Sequence, residues 1–188
     1  MISFRAATRE DSRSIASLYR ISSDGVADYI WAKSVKPNEG ILDVGERLYE
    51  REDGVFSYKH CTIVEVGGEV AGMIVAFPMT LSESEDEDPV LAPYSRLEEA
   101  DSYYICGIAL FPEHRGKGLG HQLLVMAKQH AKNVELKKLS LIVFEENTEA
   151  KRLYESVGYQ EVKREKIVPH PLIPHTGYAV LMVCYLEE

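Results

Sequence analysis

The residues best suited to chemistry stand in one run, Leu110-Phe111-Pro112-Glu113-His114-Arg115-Gly116-Lys117-Gly118-Leu119-Gly120. It lies where an apolar stretch, Tyr103 to Leu110, gives way to helical periodicity. Glycines at such a turn let the main chain approach a ligand closely, and the first turn of the helix offers unpaired N–H groups to an anion. The helix dipole adds partial positive charge, and Arg115 and Lys117 add full charges. The ligand this favours is a phosphate or pyrophosphate. The spacing is neither GxxxxGK[ST] nor GxGxxG, so an NTPase loop and a dinucleotide fold are both disfavoured. A glycine-rich turn without a ligand remains the alternative.

A second run, Asn147-Thr148-Glu149-Ala150-Lys151-Arg152-Leu153-Tyr154-Glu155-Ser156-Val157-Gly158-Tyr159, places Asn147 and Tyr154 two helical turns apart, hence on one face. Asn147 precedes the helix and suits an N-cap. Tyr154 alone would read as a core aromatic.

The elements around these runs follow from periodicity. Ile2 to Ala6 reads as a strand, and Thr8 with Asp11 as a capping box. Ile15, Leu18 and Tyr19 then share a helical face. A second helix is expected from about Ile41 to Glu52, and the segment holding Trp31 and Pro37 is ambiguous. Residues 62–66 and 70–77 form strands joined by Gly67-Gly68, a tight-hairpin signal. Five of residues 83–88 are acids, which predicts a solvated loop. Tyr103 to Leu110 is expected to be central in a sheet. A helix from Gly118 carries Leu119, Leu123, Met126, Ala127 and His130 on one face. Residues 139–144 form a buried strand, and a helix over 148–157 ends at Gly158. Strands over 159–168 and 178–186 close the chain, separated by a proline-rich loop. This is a mixed α/β layout in one domain, residues 1–188, without internal repeats.

Arg-Gly-Lys-Gly-Leu-Gly resembles the R-x-x-G-x-G/A motif of GNAT acetyltransferases. The Asn147–Tyr159 run is similar to that family's second signature, N-x-x-A-x-x-L-Y-x-x-x-G-F/Y. Together the motifs cover residues 103–159, in the family's order. The resemblance implies a mostly antiparallel central sheet flanked by helices and splayed at the acyl-CoA-binding strand. It implies acetyl-CoA as co-substrate, its diphosphate on the main chain of Lys117, Gly118, Leu119 and Gly120, with Arg115 and Gly116 opening the loop. Pantetheine would pair with Ile108, Ala109 and Leu110 and contact Asn147. Tyr154 would protonate the departing thiolate. The acceptor would be a small-molecule or peptide amine, and family analogy favours a homodimer. The alternative is a GNAT-fold sensor that binds acyl-CoA without turnover.

Composition sets limits on partners. A net charge of −9 weighs against nucleic acid and anionic membranes. No apolar stretch is long enough to span a bilayer, and Met1-Ile2-Ser3-Phe4-Arg5 does not read as a signal peptide. Cys61, Cys106 and Cys184 cannot pair completely and form no metal-ligand pattern, so no metal is expected and buried free thiols in the cytoplasm are.

Direct transfer needs a neutral amine, yet an alkylamine with pKa ~10.4 is almost entirely protonated at pH 7. The strand Ser102-Tyr103-Tyr104-Ile105-Cys106 has no carboxylate to act as base. Tyr104, Asp101, His170 and His175 are the candidates for proton handling, each with a structural role as its simpler explanation. Cys106 as a nucleophile is weaker still, since nothing near it would lower its pKa. A bulge at Gly107 would free a main-chain N–H for the oxyanion.

Overall fold

The computed structural model describes residues 1–81 and 88–187. The acidic run over 83–88 lies outside the described residues except for Asp88, whose carboxylate accepts from Val90 N–H at 2.9 Å.

Seven strands form one sheet in the order β1-β2-β3-β4-β5-β7-β6. They are β1 (Ile2–Ala6), β2 (Cys61–Val66), β3 (Glu69–Pro78), β4 (Tyr103–Leu110), β5 (Lys138–Phe144), β6 (Gln160–Lys166) and β7 (Tyr178–Tyr185). The helices are α1 (Ser12–Ser23), α2 (Val26–Ala32), α3 (Ile41–Tyr49), α4 (Ala92–Ser95), α5 (Leu119–Asn133) and α6 (Thr148–Ser156). The sheet is mixed: β4 and β5 run parallel, while β1–β2, β2–β3, β5–β7 and β6–β7 are antiparallel. The expected α/β fold, a mixed sheet flanked by helices, is therefore observed. The described residues group into two compact units, Met1–Val75 with Gly107–Leu123, and Ala76–Cys106 with Leu124–Glu188.

In the first unit, the turn between β2 and β3 has Gly67 at φ +66° and Gly68 at φ +87°. Both values are left-handed, which is why two glycines close this hairpin. Asp11 accepts from the Thr8 N–H at 2.7 Å and from the Thr8 hydroxyl at 3.2 Å, the reach-back expected ahead of α1. Its other contact is Arg5, which donates to Asp11 at 2.7 and 2.9 Å and to Glu65 at 2.7 Å, tying β1, β2 and the α1 entry together. The ambiguous segment around Trp31 proves helical. Asp24 at φ +44° and Gly25 at φ +95° break α1 from α2, and α2 buries Ala27 and Trp31. Tyr19, Trp31, Tyr49 and Phe56 form an aromatic cluster with ring centroids 5.5 to 6.4 Å apart. Gly45 is required there: a Cβ would sit 2.3 Å from the Trp31 ring. α3 ends at Tyr49 rather than Glu52, because the exposed residues 50–52 have no apolar face to bury.

In the second unit, β7 is buried from Ala179 to Cys184 and pairs with β5 over seven residues, Lys138–Phe144. β6 is an exposed, charged edge strand, a composition that discourages pairing with another chain. Gly158 ends α6 at φ +96°, as a C′ glycine does. Cys61 and Cys184 are buried free thiols; Cys106 is only half-buried, because alternate β4 side chains point to the less covered face.

Candidate active site

The first unit carries the glycine-rich turn. Gly116 has φ +71° and Gly118 φ +75°, and a Cβ at either would meet nothing within 4 Å. These conformations therefore leave open space beside the main chain. The first bond of α5 is Gln122 N–H to Gly118 O at 3.2 Å. Among the described residues, no main-chain carbonyl accepts from the N–H groups of residues 116–121. Six donors at an N-terminus of a long helix, beside open space, suit an anion with several oxygens. Arg115 donates Nε to Leu110 O at 3.2 Å and Lys117 donates Nζ to Glu113 O at 3.0 Å, which holds both cationic side chains over the loop. His114, which the motif reading passed over, has Nδ1 buried with no partner among the described residues. Nothing in its spacing distinguished it.

Ile108, Ala109 and Leu110 form the last part of β4, in the same unit as the turn. Gly72 of β3 lies so close that a Cβ would sit 2.6 Å from Ala109 O and 2.3 Å from Leu110 Cδ2. The β4–β5 ladder covers only Tyr103–Ile105 against Leu139–Leu141. The parallel pairing thus ends before Ile108, Ala109 and Leu110. On the other side of β4, Phe111 N–H bonds to Ala71 O and Met79 N–H to Ser102 O, at 2.9 and 2.8 Å. From Ser102 to Phe111 is nine steps, whereas Ala71 to Met79 is eight, so β4 carries one residue more than β3. That is the count of a β-bulge, and Gly107 lies in the interval. A Cβ on Gly107 would meet Ser22 Oγ at 2.7 Å and the Tyr19 ring at 3.0 Å.

Asn147 and Tyr154 belong to the second unit. Asn147 caps α6, its Oδ1 accepting from Ala150 N–H at 3.3 Å. Tyr154 is 9% exposed and packs against Tyr159, ring centroids 6.0 Å apart. Burial pushes its phenol up to about 12, so it holds its proton at neutral pH. Its hydroxyl makes no hydrogen bond among the described residues.

The candidates for proton handling separate clearly. Tyr104 is held well above its ordinary pKa, first by burial and then by Cys106 and Glu98, which unsuits it as a base. Asp101 is an exposed turn residue at φ +53°. His170 accepts from Leu172 N–H at 3.2 Å and so shapes its own turn. His175 is different: its Nδ1 lies 3.0 Å from Glu146 Oε2, and its ring stacks on Phe144 at 4.1 Å. The His175 bond is also the chief reason that Glu146 titrates below the usual carboxylate range. Among the described residues there is no group of three His, Cys, Asp or Glu side chains placed to hold a metal ion, and no helix long and apolar enough to cross a membrane.

The model describing the Acetyltransferase (GNAT) family matches residues 28–159. The chain belongs to the GNAT acetyltransferase family. It is 41% identical over 58 residues to YycN of Bacillus subtilis (strain 168), an N-acetyltransferase by name; the match spans 31% of this chain and 37% of that one. The chain therefore matches under half the length of that relative. Among solved structures it resembles one described as an acetyltransferase, with a TM-score of 0.69 and 23% identity, covering 98% of this chain and 100% of that one. It also resembles yncA from Salmonella typhimurium, solved with its cofactor acetyl-CoA, at a TM-score of 0.65 and 17% identity, covering 100% and 95%. At these identities the structural likeness establishes a GNAT fold.

Proposed function

We propose that the protein transfers an acetyl group from acetyl-CoA directly to a primary amine. The observation that carries this is the turn at residues 116–121 in a chain of the GNAT family: among the described residues no main-chain carbonyl accepts from its six N–H groups, and open space lies beside Gly116 and Gly118. The main chain of Lys117, Gly118, Leu119 and Gly120 would hold the diphosphate, with Arg115 and Gly116 opening the loop. Bonds from N–H to a charged phosphate are about twice as strong as neutral ones. The splayed part of β4, Ile108 to Leu110, would offer its main chain to the pantetheine amides, and Asn147 would contact the same arm.

Bound acetyl-CoA supplies an activated thioester carbonyl. As the amine nitrogen bonds to that carbon, charge develops on the carbonyl oxygen, and a main-chain N–H freed by the β4 bulge would stabilise it. The C–S bond then breaks and Tyr154 gives its phenolic proton to the sulfur, while solvent takes the proton that the amine nitrogen sheds and returns one to Tyr154. A buried, neutral tyrosine without competing hydrogen bonds is suited to that donation.

The test is release of CoA thiol from acetyl-CoA by purified protein, offered pools of polyamines, amino acids, aminoglycosides and lysine peptides. Amine-dependent release is expected and names the acceptor class. Tight acetyl-CoA binding with no release from any pool would overturn the transferase reading in favour of a sensor.

A further inference from the structure

We propose that Glu146 is a positioning residue for acetyl-CoA, fixing the main-chain turn that aims the Asn147 amide at the pantetheine arm. The role rests on the acetyl-CoA reading above. Asn147 has φ −81° and ψ 69°. Those are the angles at the centre of an inverse γ-turn, about −75° and +65°. Thr148 N–H closes the turn by donating to Glu146 O at 2.9 Å. Asn147 N–H donates to Phe144 O at 2.9 Å, and Asn147 O accepts from Lys151 N–H at 3.1 Å. The side chain has one committed atom and one spare. Its Oδ1 accepts from Ala150 N–H at 3.3 Å, while its Nδ2 donates to nothing among the described residues. That half-buried NH2 suits a ligand carbonyl, and the amides of pantetheine supply one.

The Glu146 side chain holds the turn from outside. Thr176 Oγ1 donates to Glu146 Oε1 at 3.2 Å, and His175 Nδ1 lies 3.0 Å from Oε2. Both partners come from the loop between β6 and β7, so the carboxylate ties the entry of α6 to that loop. The end of the loop is itself fixed. Ile167 N–H bonds to Gly177 O and Glu145 N–H to Tyr178 O, each at 2.9 Å. The His175 ring stacks on Phe144 with centroids 4.1 Å apart, and Phe144 is the residue whose carbonyl receives the Asn147 N–H.

The neighbouring carboxylate is a built-in control. Glu145 pairs with Arg164 of β6 at 2.7 Å, and its side chain is 37% exposed against 48% for Glu146. Its carbonyl takes no part in the turn at Asn147. Loss of either carboxylate therefore removes a surface ion pair from the same connection, but only Glu146 bears on Asn147.

The experiment measures acetyl-CoA Kd by calorimetry, and KM and kcat with whichever amine the pools identify. The variants are Glu146→Ala, Glu146→Gln, Glu145→Ala, Asn147→Ser and the double variant Glu146→Ala with Asn147→Ser. Serine keeps the helix cap and removes the amide. Glu146→Ala should weaken acetyl-CoA binding about 3- to 10-fold, the worth of the one Asn147 bond that it aims. KM should rise and kcat stay, because bound substrate and transition state share that bond. A smaller folded fraction would instead lower kcat at unchanged KM. Asn147→Ser should lose as much, and the double variant no more than either. Glu146→Gln keeps an oxygen for the two donors and should bind more tightly than Glu146→Ala, while Glu145→Ala should match wild type. Glu146→Ser, judged by the same criteria, covers misfolding of Glu146→Ala. Wild-type affinity in either folded variant, an equal loss in Glu145→Ala, or losses that add in the double variant overturn the proposal. Wild-type affinity in Asn147→Ser, or a wild type that binds no acetyl-CoA, overturns the pantetheine reading and this proposal with it.

Discussion

Replacing Gly118 by alanine separates the fold's demand on the glycine turn from the ligand's. Gly118 at φ +75° and Gly67 at φ +66° have the same kind of left-handed backbone, and a Cβ at either meets nothing within 4 Å. An L-residue in that region costs roughly 1–2 kcal/mol, so Gly118→Ala and Gly67→Ala should destabilise the protein alike. For a chain of this size, 1 kcal/mol lowers Tm by roughly 2–4 °C. Only Gly118 lies at the proposed diphosphate cradle. There the new methyl group enters the space beside the N–H donors, and one or two bonds to a charged phosphate are weakened, each about 1.5–3 kcal/mol. Acetyl-CoA affinity should then fall about 10- to 10,000-fold in Gly118→Ala and stay unchanged in Gly67→Ala. Thermal unfolding and calorimetric titration with acetyl-CoA read the two effects separately. Equal acetyl-CoA affinity in the two folded variants would refute the placement of the diphosphate.

Two further outcomes follow from packing and burial. Gly72→Ala should destabilise the protein by about 1–3 kcal/mol and raise the KM for acetyl-CoA, because the new Cβ presses on the main chain of Ala109 and Leu110, which cannot rotate away; steady-state kinetics and denaturant unfolding check both. Alkali should destabilise the native state between pH 10 and 12. The unfolded Tyr154 ionises near 10, while the buried one keeps its proton to about 12. Its stabilisation is complete below pH 10 and lost as pH rises through 12, a change of about 3 kcal/mol that Tyr154→Phe should remove from the unfolding profile.

What could be read from the sequence was whatever local main-chain geometry dictates. The Gly67-Gly68 hairpin, the Gly158 helix end and the glycine turn each need left-handed backbone, and glycine marks such positions directly. The Asn147 cap was legible for the same reason, since its partner is the nearby Ala150 N–H. α2 was not: it has seven residues, and its break from α1 begins at Asp24, a residue that does not advertise φ +44°. The His175–Glu146 pair was invisible because its members are 29 residues apart. Only the β5–β7 register, with Phe144 opposite Ala179, brings that loop to the end of β5.

The most direct test of the account compares amine-dependent CoA release by wild type and Tyr154→Phe. The Tyr154 hydroxyl makes no hydrogen bond among the described residues, so its removal should leave the fold and acetyl-CoA affinity intact. In Tyr154→Phe, kcat should fall about 100-fold or more at unchanged acetyl-CoA affinity. Turnover equal to wild type in Tyr154→Phe would contradict it.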